Sequence, residues 1–298
     1  MVASTNNSTA SLNHIAILGY GLMGSGIAQI CLQNGYKVSI YGRNPKRLVE
    51  CSERIRWGLV KHASKANKLD KEEVNSVVDQ QMSCLSYNTV ISKVVQNADM
   101  VIEAVAEDLQ LKRKIFEEVQ EYCPSNALLI TNTSSIRLMD IVECIENPAH
   151  FAGLHFFNPV PLIKLVEVVS TSLTSDETKQ VLIEFCRTID KTSIACKDTP
   201  GFIVNRLLIP YLIESIRMVE RGDATMEDID AGMRCGTNYP MGPLELCDYV
   251  GLDTLQNVMK VWRESMPNDS RFEPCALLDS LVEQGKLGRK TKQGFYSY

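Results

Sequence analysis

The feature that most constrains the fold of this chain is a short apolar run that leads straight into a glycine-rich turn and a helix. The run Ile15–Leu18 is of strand type, and Gly19-Tyr-Gly21-Leu-Met-Gly24 follows it directly, ahead of apolar residues at helical spacing. In such a turn Gly19 permits the tight bend, Gly21 lets the backbone approach a pyrophosphate, and Gly24 allows close packing of helix on strand. Because free N–H groups and the dipole at a helix start favour phosphates, the pattern predicts a dinucleotide site. The alternative is a glycine-rich turn without a ligand.

Strand-like and helical runs alternate through the part of the chain that follows. Further strands are expected at Val38–Tyr41, Met100–Val105 and Ala127–Thr131. This alternation predicts an α/β fold with a doubly wound, Rossmann-type parallel sheet. A charged helical insertion at about 45–79 is longer than one crossover needs, so it predicts a helical hairpin that stands off the sheet.

The pattern changes near Asp198-Thr-Pro-Gly201, where Pro and Gly end the alternation and a mostly helical stretch begins. The run Phe202–Val219 is apolar on nearly all faces, which predicts burial in a core or against a second subunit, with a kink at Pro210. Later helices are expected at about 225–234 and about 243–262. The expected organisation is a disordered leader at 1–12, a dinucleotide-binding domain at 13–199 with its insertion, and an all-helical domain at 200–298 that forms a homodimer.

Composition narrows the class of protein. The chain of 298 residues has a net charge of −5, which argues against a general nucleic-acid binder, and it has no apolar run of membrane-spanning length. Its ten cysteines form no C-x-x-C pair and there are only four histidines, so buried free thiols in a reducing compartment are expected, and no metal site. The leader lacks Lys and Arg, unlike a signal or transit peptide, and the chain ends in Tyr-Ser-Tyr, not a peroxisomal tripeptide.

A histidine and a carboxylate flank a proline-containing bend in the middle of the chain. His155 lies in GLHFFNPVP (153–161) and Glu167 in the strand-like run KLVEVV (164–169). The prolines at 159 and 161 disfavour a helix there, so two extended segments joined by a bend are expected to bring the pair together. An imidazole takes a proton near neutral pH, and a carboxylate holds it in one tautomer. The alternative is a core histidine that only forms a hydrogen bond.

Together these motifs resemble the L-3-hydroxyacyl-CoA dehydrogenase family, which includes 3-hydroxybutyryl-CoA dehydrogenases. The resemblance runs from about residue 13 to 298, with the motifs in matching order and spacing. It is carried by GYGLMGSGIAQ (19–29), EAVAEDLQLK (103–112), NTSS (132–135), FAGLHFFNPVPLIKLVEVV (151–169), KDTPGFIVNRLL (197–208), ERGDA (220–224), YPMGPLELCDYVGLD (239–253) and the terminal GFYSY. It implies an oxidoreductase of fatty acid metabolism that interconverts L-3-hydroxyacyl-CoA and 3-ketoacyl-CoA by hydride transfer to a nicotinamide cofactor.

The resemblance also implies roles for individual residues. His155 is the implied base and Glu167 its orienting partner, while Ser134 hydrogen-bonds the reacting oxygen. Asn158 lies beside the nicotinamide and the substrate carbonyl, and Asn205 closes the site. The alternatives are structural: Ser134 as a helix cap, Asn158 as a turn anchor and Asn205 as a cap of the long helix. The implied catalytic residues are His155, Glu167, Ser134, Asn158 and Asn205. The implied cofactor residues are Gly19, Gly21, Leu22, Met23, Gly24, Glu107, Lys112 and Asn158, and the residues at the end of the second strand add Gly42 and Arg43. The implied substrate residues are Ser134 and Asn205. The charged insertion adds Lys61, Lys65 and Lys68, which are expected to meet phosphates, and the alternative for these lysines is a solvated surface.

The chain departs from the family pattern at the end of the second strand. The family usually places there an acidic residue that hydrogen-bonds the adenosine ribose of NAD, whereas this chain has Gly42 followed by Arg43. Loss of the carboxylate removes the repulsion against a 2′-phosphate, and Arg43 could pair with that phosphate, with Lys46 and Arg47 close by. This favours NADP over the family's usual NAD. The alternative is a surface arginine on a turn, with NAD still bound.

Two other functions compete with the leading interpretation. A non-catalytic relative that only binds cofactor or acyl-CoA would be expected to have lost His155, Glu167 or the NTSS serine, and all are present. A dehydrogenase of free hydroxy acids fits the acyl-CoA motifs less well. The expected partner is an acyl-CoA substrate, with no nucleic acid and no membrane. The compartment stays open between the mitochondrial matrix, which the resemblance suggests, and the cytoplasm, which the leader suggests.

Overall fold

The computed structural model describes residues 12–66 and 70–298. The chain divides into two compact units, Met1–Thr199 and Pro200–Tyr298, and each is described by itself. Most of the expected leader and Lys68 lie outside the described residues.

The described residues of the first unit form an eight-stranded sheet in the order β3-β2-β1-β4-β5-β6-β7-β8. Strands β1 to β6 run parallel, β7 is antiparallel to β6, and β8 is parallel to β7. The predicted α/β class with a doubly wound sheet is confirmed, and the antiparallel β7 is an addition to it. The strands are β1 His14–Leu18, β2 Lys37–Tyr41, β3 Leu85–Asn88, β4 Met100–Glu103, β5 Leu128–Thr131, β6 Phe151–Phe156, β7 Leu165–Ser170 and β8 Thr192–Lys197.

Central strands form here because their side chains are apolar on both faces. All residues of β4 and β5 are buried, as expected for parallel strands that are covered by helices on each side. The helices of this unit are α1 Leu22–Gln33, α2 Pro45–Ala66, α3 Lys71–Ser83, α4 Ile91–Val95, α5 Leu109–Gln120, α6 Leu138–Val142 and α7 Asp176–Thr188.

The expected insertion is a pair of helices, α2 and α3, and it ends at Ser83 instead of near residue 79. It does not stand off the sheet, because Leu48, Ile55 and Leu59 of α2 are buried in the same apolar core as α1 and the strands. Helix α3 begins at a capping box in which the Asp70 carboxylate accepts the Glu73 N–H.

The described residues of the second unit contain the helices α8 Val204–Arg221, α9 Met226–Thr237, α10 Pro243–Val250, α11 Leu252–Ser265 and α12 Ala276–Glu283. The single helix expected at about 243–262 is wrong: Gly251, with φ of +101°, separates α10 from α11. Helix α8, which contains Pro210, is not buried on all faces within the chain. It buries Ile209, Leu212 and Ile213 on one side, whereas Leu207 is 72 % exposed.

Two buried carboxylates hold the C-terminal segment of this unit. Asp248 accepts the backbone N–H groups of Phe295 and Tyr296, both at 2.9 Å. Asp230 accepts the N–H groups of Leu244 and Glu245 at the start of α10, and the hydroxyl of Tyr296 at 2.9 Å. The GFYSY ending is therefore a packed part of the second unit.

All ten cysteines are free thiols, and five of them are buried: Cys31, Cys51, Cys186, Cys247 and Cys275. Burial raises the pKa of the Cys186 thiol to about 12, which makes that thiol unreactive at neutral pH. The prediction of buried thiols holds for these five, whereas Cys235 is exposed. In the part of the chain that the structure describes, no helix has both the length and the apolar character that crossing a membrane requires.

Candidate functional site

The glycine-rich turn has the geometry of a phosphate cradle. Gly19 has φ of +127°, and a Cβ there would lie 2.3 Å from the Ala104 carbonyl oxygen. A Cβ on Gly24 would lie 2.1 Å from the Gly19 oxygen, so the α1 backbone contacts the turn directly. At Gly21, apart from the glycine itself and its two chain neighbours, no described heavy atom lies within 4 Å of the point where a Cβ would stand. The open approach at Gly21, at the start of α1, suits a pyrophosphate.

A cavity of about 680 Å³ opens at the carboxyl ends of β1, β2 and β4. The sheet order changes direction between β1 and β4, which is where doubly wound sheets bind their ligands. The cavity brings Gly19, Gly21, Leu22 and Met23 of the turn together with Gly42 and Arg43. The other predicted cofactor residues do not line it: Gly24, Glu107, Lys112 and Asn158. Its lining comprises Gly19, Tyr20, Gly21, Leu22, Met23, Tyr41, Gly42, Arg43, Ala104, Val105, Ala106, Leu111, Lys114, Ile115 and Glu118.

Gly42 is buried at the end of β2, and the Tyr20 ring lies against it. A Cβ on Gly42 would stand 2.0 Å from Tyr20 Cδ1 and 2.5 Å from Cε1. Arg43 is exposed at the rim of the cavity, as are Lys46 and Arg47 outside it. Tyr20 lies between Gly19 and Gly21, at a position where the glycine motif specifies no residue type, so the motif did not indicate a role for it.

His155 and Glu167 lie directly opposite each other on the antiparallel strands β6 and β7. The His155 Nδ1 and the Glu167 Oε2 are 2.6 Å apart, and the residues are 5 % and 0 % exposed. The Phe157 ring contacts the imidazole, with 4.6 Å between the ring centroids and an angle of 58° between the ring planes. With Nδ1–H donating to the carboxylate, the ring's lone pair is on Nε2, so Nε2 is the atom that can act as a base. The two extended segments joined by a bend occur as predicted.

The NTSS loop is fixed by a carboxylate from the start of α5. Oε1 of Glu107 accepts the Thr133 hydroxyl at 2.5 Å, the Ser134 N–H at 3.0 Å and the Ser135 N–H and hydroxyl at 3.0 and 2.9 Å. Burial raises the pKa of Glu107, but the Lys112 charge and the hydroxyl donors outweigh it and hold the pKa at about 2. Glu107 is therefore an anion at neutral pH that positions the loop, while the Ser134 side chain is exposed.

Lys112 reaches this carboxylate from one turn inside α5. The side chain of Asp108 caps the helix by accepting the Leu111 N–H at 2.8 Å, which places Lys112 next to the sheet. Its Nζ lies 2.6 Å from Glu103 Oε1 and 3.1 Å from Glu107 Oε2, and Lys112 is only 1 % exposed. Lys112 was predicted as a cofactor residue, and in the structure its ammonium group is buried against Glu103 and Glu107. Glu103, which the sequence analysis did not select, carries the balancing charge that a buried lysine requires.

Two further residues that the sequence analysis missed connect the loops of the site. Asn132 Oδ1 accepts the N–H of Phe156 at 3.0 Å, so the start of NTSS is tied to the end of β6. Lys191 is buried and donates from Nζ to the carbonyls of Val160 at 2.6 Å and Ile163 at 2.7 Å, within the bend between β6 and β7. The same bend holds the exposed Asn158, whose bond to Pro159 is cis. A buried hydrogen-bonding lysine has no local sequence signal.

The predicted substrate residues lie on separate elements. Lys61 and Lys65 are exposed on α2, and Lys61 Nζ lies 4.9 Å from the centre of the Trp57 ring, which is itself 65 % exposed. Asn205 lies in the first turn of α8 in the second unit. Within the described ranges, no group of three or more His, Cys, Asp or Glu side chains is arranged to hold a metal ion.

Comparisons with known proteins cover nearly the whole chain. Residues 14–199 match the family model described as 3-hydroxyacyl-CoA dehydrogenase, NAD binding domain, and residues 201–298 match its C-terminal domain. The mitochondrial hydroxyacyl-coenzyme A dehydrogenase of Mus musculus is 44 % identical over 96 % of this chain and 91 % of its own. A probable 3-hydroxybutyryl-CoA dehydrogenase of Bacillus subtilis is 38 % identical over 96 % and 98 %. The crystal structure of (S)-3-hydroxybutyryl-CoA dehydrogenase from Ralstonia eutropha gives a TM-score of 0.90 at 34 % identity, covering 97 % of this chain and 99 % of its own.

Proposed function

The chain belongs to the 3-hydroxyacyl-CoA dehydrogenase family and is an oxidoreductase that interconverts L-3-hydroxyacyl-CoA and 3-ketoacyl-CoA, and we propose that His155 is its acid–base group. The observation that carries this proposal is the buried pair of His155 Nδ1 and Glu167 Oε2, 2.6 Å apart on neighbouring strands. A non-catalytic relative is disfavoured because the named relatives are dehydrogenases and the pair is intact.

In the oxidative direction, His155 Nε2 takes the proton of the 3-hydroxyl group. Glu167 stabilises the imidazolium that forms, because the two charges are held together out of water. Ser134, on the loop that Glu107 fixes, donates to the oxygen on which negative charge develops. A nicotinamide cofactor held at the glycine turn of Gly19, Gly21 and Gly24 would supply the hydride chemistry at C3. In the reductive direction the imidazolium returns its proton to the carbonyl oxygen.

The first unit is an NAD-binding domain of this family, and its glycine turn fits a dinucleotide because Gly21 is open to close approach. We further propose that the chain prefers NADP to NAD. Support comes from Gly42, which leaves the end of β2 without a carboxylate, and from Arg43, which lines the cavity beside it. A guanidinium pairs strongly with a phosphate, whereas the ribose hydroxyls of NAD favour a carboxylate.

For the substrate, we propose that Lys61 and Lys65 of α2 meet the phosphates of coenzyme A, with the exposed Trp57 on the same helix. Three expectations stay predictions: that Asn205 closes the site, that the chain forms a homodimer, and the compartment in which it acts. The mouse relative is named as mitochondrial.

The test is reduction of acetoacetyl-CoA, followed at the reduced-nicotinamide absorbance with NADH and NADPH in parallel. His155→Gln is expected to abolish turnover and to leave dinucleotide binding nearly intact, because His155 does not line the cofactor cavity. His62→Gln, at an exposed position on α2, is the matched control. Wild-type rates in His155→Gln would refute the assignment of the base. Preference for NADH would refute the proposed pairing of Arg43 with a 2′-phosphate, and would leave the assignment of the base untouched.

A further inference from the structure

The Tyr20 ring stands where a side chain at position 42 would begin. A Cβ on Gly42 would lie 2.0 Å from Tyr20 Cδ1, 2.5 Å from Cε1 and 3.1 Å from Leu48 Cδ2. Two carbon atoms that are not bonded do not approach to 2.0 Å, since their optimal separation is about 3.5–4.0 Å. Any side chain at position 42 and the ring of Tyr20 in its present place therefore exclude each other.

Tyr20 is held on several sides. It is partly buried and packs against the apolar core of the sheet. Its carbonyl oxygen accepts a hydrogen bond from Nη2 of Arg54 at 2.6 Å, and the neighbouring Gly19 N–H donates to the Tyr41 carbonyl at 3.0 Å. These bonds tie the glycine turn to α2 and to the end of β2. A side chain added at position 42 must consequently push the ring aside, while the backbone of the turn stays in place.

The space beside the ring is the cofactor cavity. Tyr20, Gly42 and Arg43 all line it. A ring displaced by a side chain at position 42 takes volume from the part of the cavity where the end of β2 meets the ligand. In doubly wound folds this part receives the adenosine ribose.

We propose that Tyr20 is a specificity-determining residue of the dinucleotide site. Its ring occupies the space through which a carboxylate at the end of β2 would reach the adenosine ribose, so Tyr20 keeps position 42 a glycine and keeps negative charge away from the ribose. The ligand that fits this arrangement is an adenosine ribose bearing a 2′-phosphate, which Arg43 pairs with. The inference rests on the proposed dinucleotide site, but the coupling between Tyr20 and Gly42 holds whichever dinucleotide the wild type prefers.

The coupling is measured by dissociation constants for NADH and NADPH, from nucleotide fluorescence titrations without acyl-CoA. Gly42→Ala alone is expected to weaken both nucleotides at least tenfold, because its methyl group displaces the ring. In a Tyr20→Gly background the same change is expected to cost less than threefold. In a Tyr20→Phe background, which keeps the ring, the tenfold penalty is expected to remain.

Gly42→Asp then tests specificity. In the Tyr20→Gly background it is expected to shift the NADH/NADPH preference at least tenfold towards NADH, whereas with Tyr20 present it is expected to weaken both. The proposal would be overturned if Gly42→Ala weakened nucleotide binding equally with Tyr20 present and in the Tyr20→Gly background. It would also be overturned if Gly42→Asp shifted the NADH/NADPH preference equally in these two backgrounds. If Gly42→Ala alone fails to fold, folding restored by Tyr20→Gly supports the proposal, and failure in both backgrounds overturns it. A wild type that prefers NADH refutes the proposed NADP use and leaves the coupling to be decided by these variants.

Discussion

Replacement of Glu167 by glutamine tests the buried pair most directly, because it removes one charge and preserves the shape of the side chain. Two unit charges about 4 Å apart attract each other by ~4 kcal/mol at an effective dielectric constant of about 20. The charges of the imidazolium and the carboxylate are spread over several atoms, so their centres lie somewhat farther apart than the 2.6 Å between Nδ1 and Oε2. This attraction exists only when His155 carries the proton, as it does on the way to the transition state.

In the oxidative direction the loss falls on kcat, because the ground state, with a neutral imidazole, does not use the attraction. Since each ~1.4 kcal/mol changes a rate tenfold, Glu167→Gln is expected to lower kcat for oxidation of L-3-hydroxybutyryl-CoA by about a thousandfold. The assay is steady-state oxidation at saturating nucleotide, with nucleotide binding and the thermal midpoint measured on the same preparation.

The matched control is Glu184→Gln, which removes an exposed carboxylate that pairs with Arg187 on α7. It is expected to leave kcat within about twofold, because exposed ion pairs contribute little. A fall of less than tenfold in folded Glu167→Gln would refute the argument that this carboxylate stabilises the imidazolium.

Three other changes test the supports of the site and of the second unit. Glu107 has a folded-state pKa of about 2 against a usual 4.5, so its contribution to stability is complete above pH 4.5 and is lost as the pH falls towards 2. Unfolding measured across this range should show wild type and Glu107→Gln converging as the pH falls, and a constant difference would contradict this. Lys191→Met leaves the buried Val160 carbonyl without its donor, at about 1–3 kcal/mol, and also frees the more exposed Ile163 carbonyl, so limited proteolysis should cut the 157–164 bend faster than in wild type. An unchanged cleavage rate would refute the holding role of Lys191. Gly201→Ala, where φ is +79° and a Cβ would meet the Trp262 ring at 2.3 Å, should destabilise the second unit by about 2–4 kcal/mol in urea unfolding, and a cost below ~1 kcal/mol would contradict the packing.

The parts of the fold that depend on short-range patterns could be predicted from the sequence. The turn between Ile15–Leu18 and α1 carries its own signal, because Gly19 and Gly24 each answer a local steric demand and Gly21 leaves space open for a ligand. The extended segments around His155 and Glu167 were predictable because proline excludes a helix between them. The direction of β7 relative to the sheet was not, since it depends on which strand it pairs with.

The parts that depend on contacts between distant residues could not be predicted. Lys191 and Asn132 act through hydrogen bonds to backbone groups. Because nearly every residue carries the same backbone groups, no sequence pattern indicates which of them is the partner. Gly42 was recognised as a missing carboxylate, but its steric partner Tyr20 lies 22 residues earlier and became visible only through the distance between them. The break at Gly251 was missed because the apolar spacing continues across it, although the backbone does not.

In the antiparallel pair of β6 and β7, the distance between facing residues does not depend on the length of the segment that joins the two strands. His155 and Glu167 are cross-strand neighbours, so their spacing is set by backbone pairing and not by the bend that joins them. Residues can be inserted into or removed from that bend without moving the pair, provided that the register is kept. A slip of one residue would turn one of the two side chains to the other face of the sheet. For anyone grafting new specificity onto this chain, the length of the bend can therefore be changed, provided that Asn158 and the carbonyls that Lys191 holds are kept, whereas the pairing of the two strands cannot.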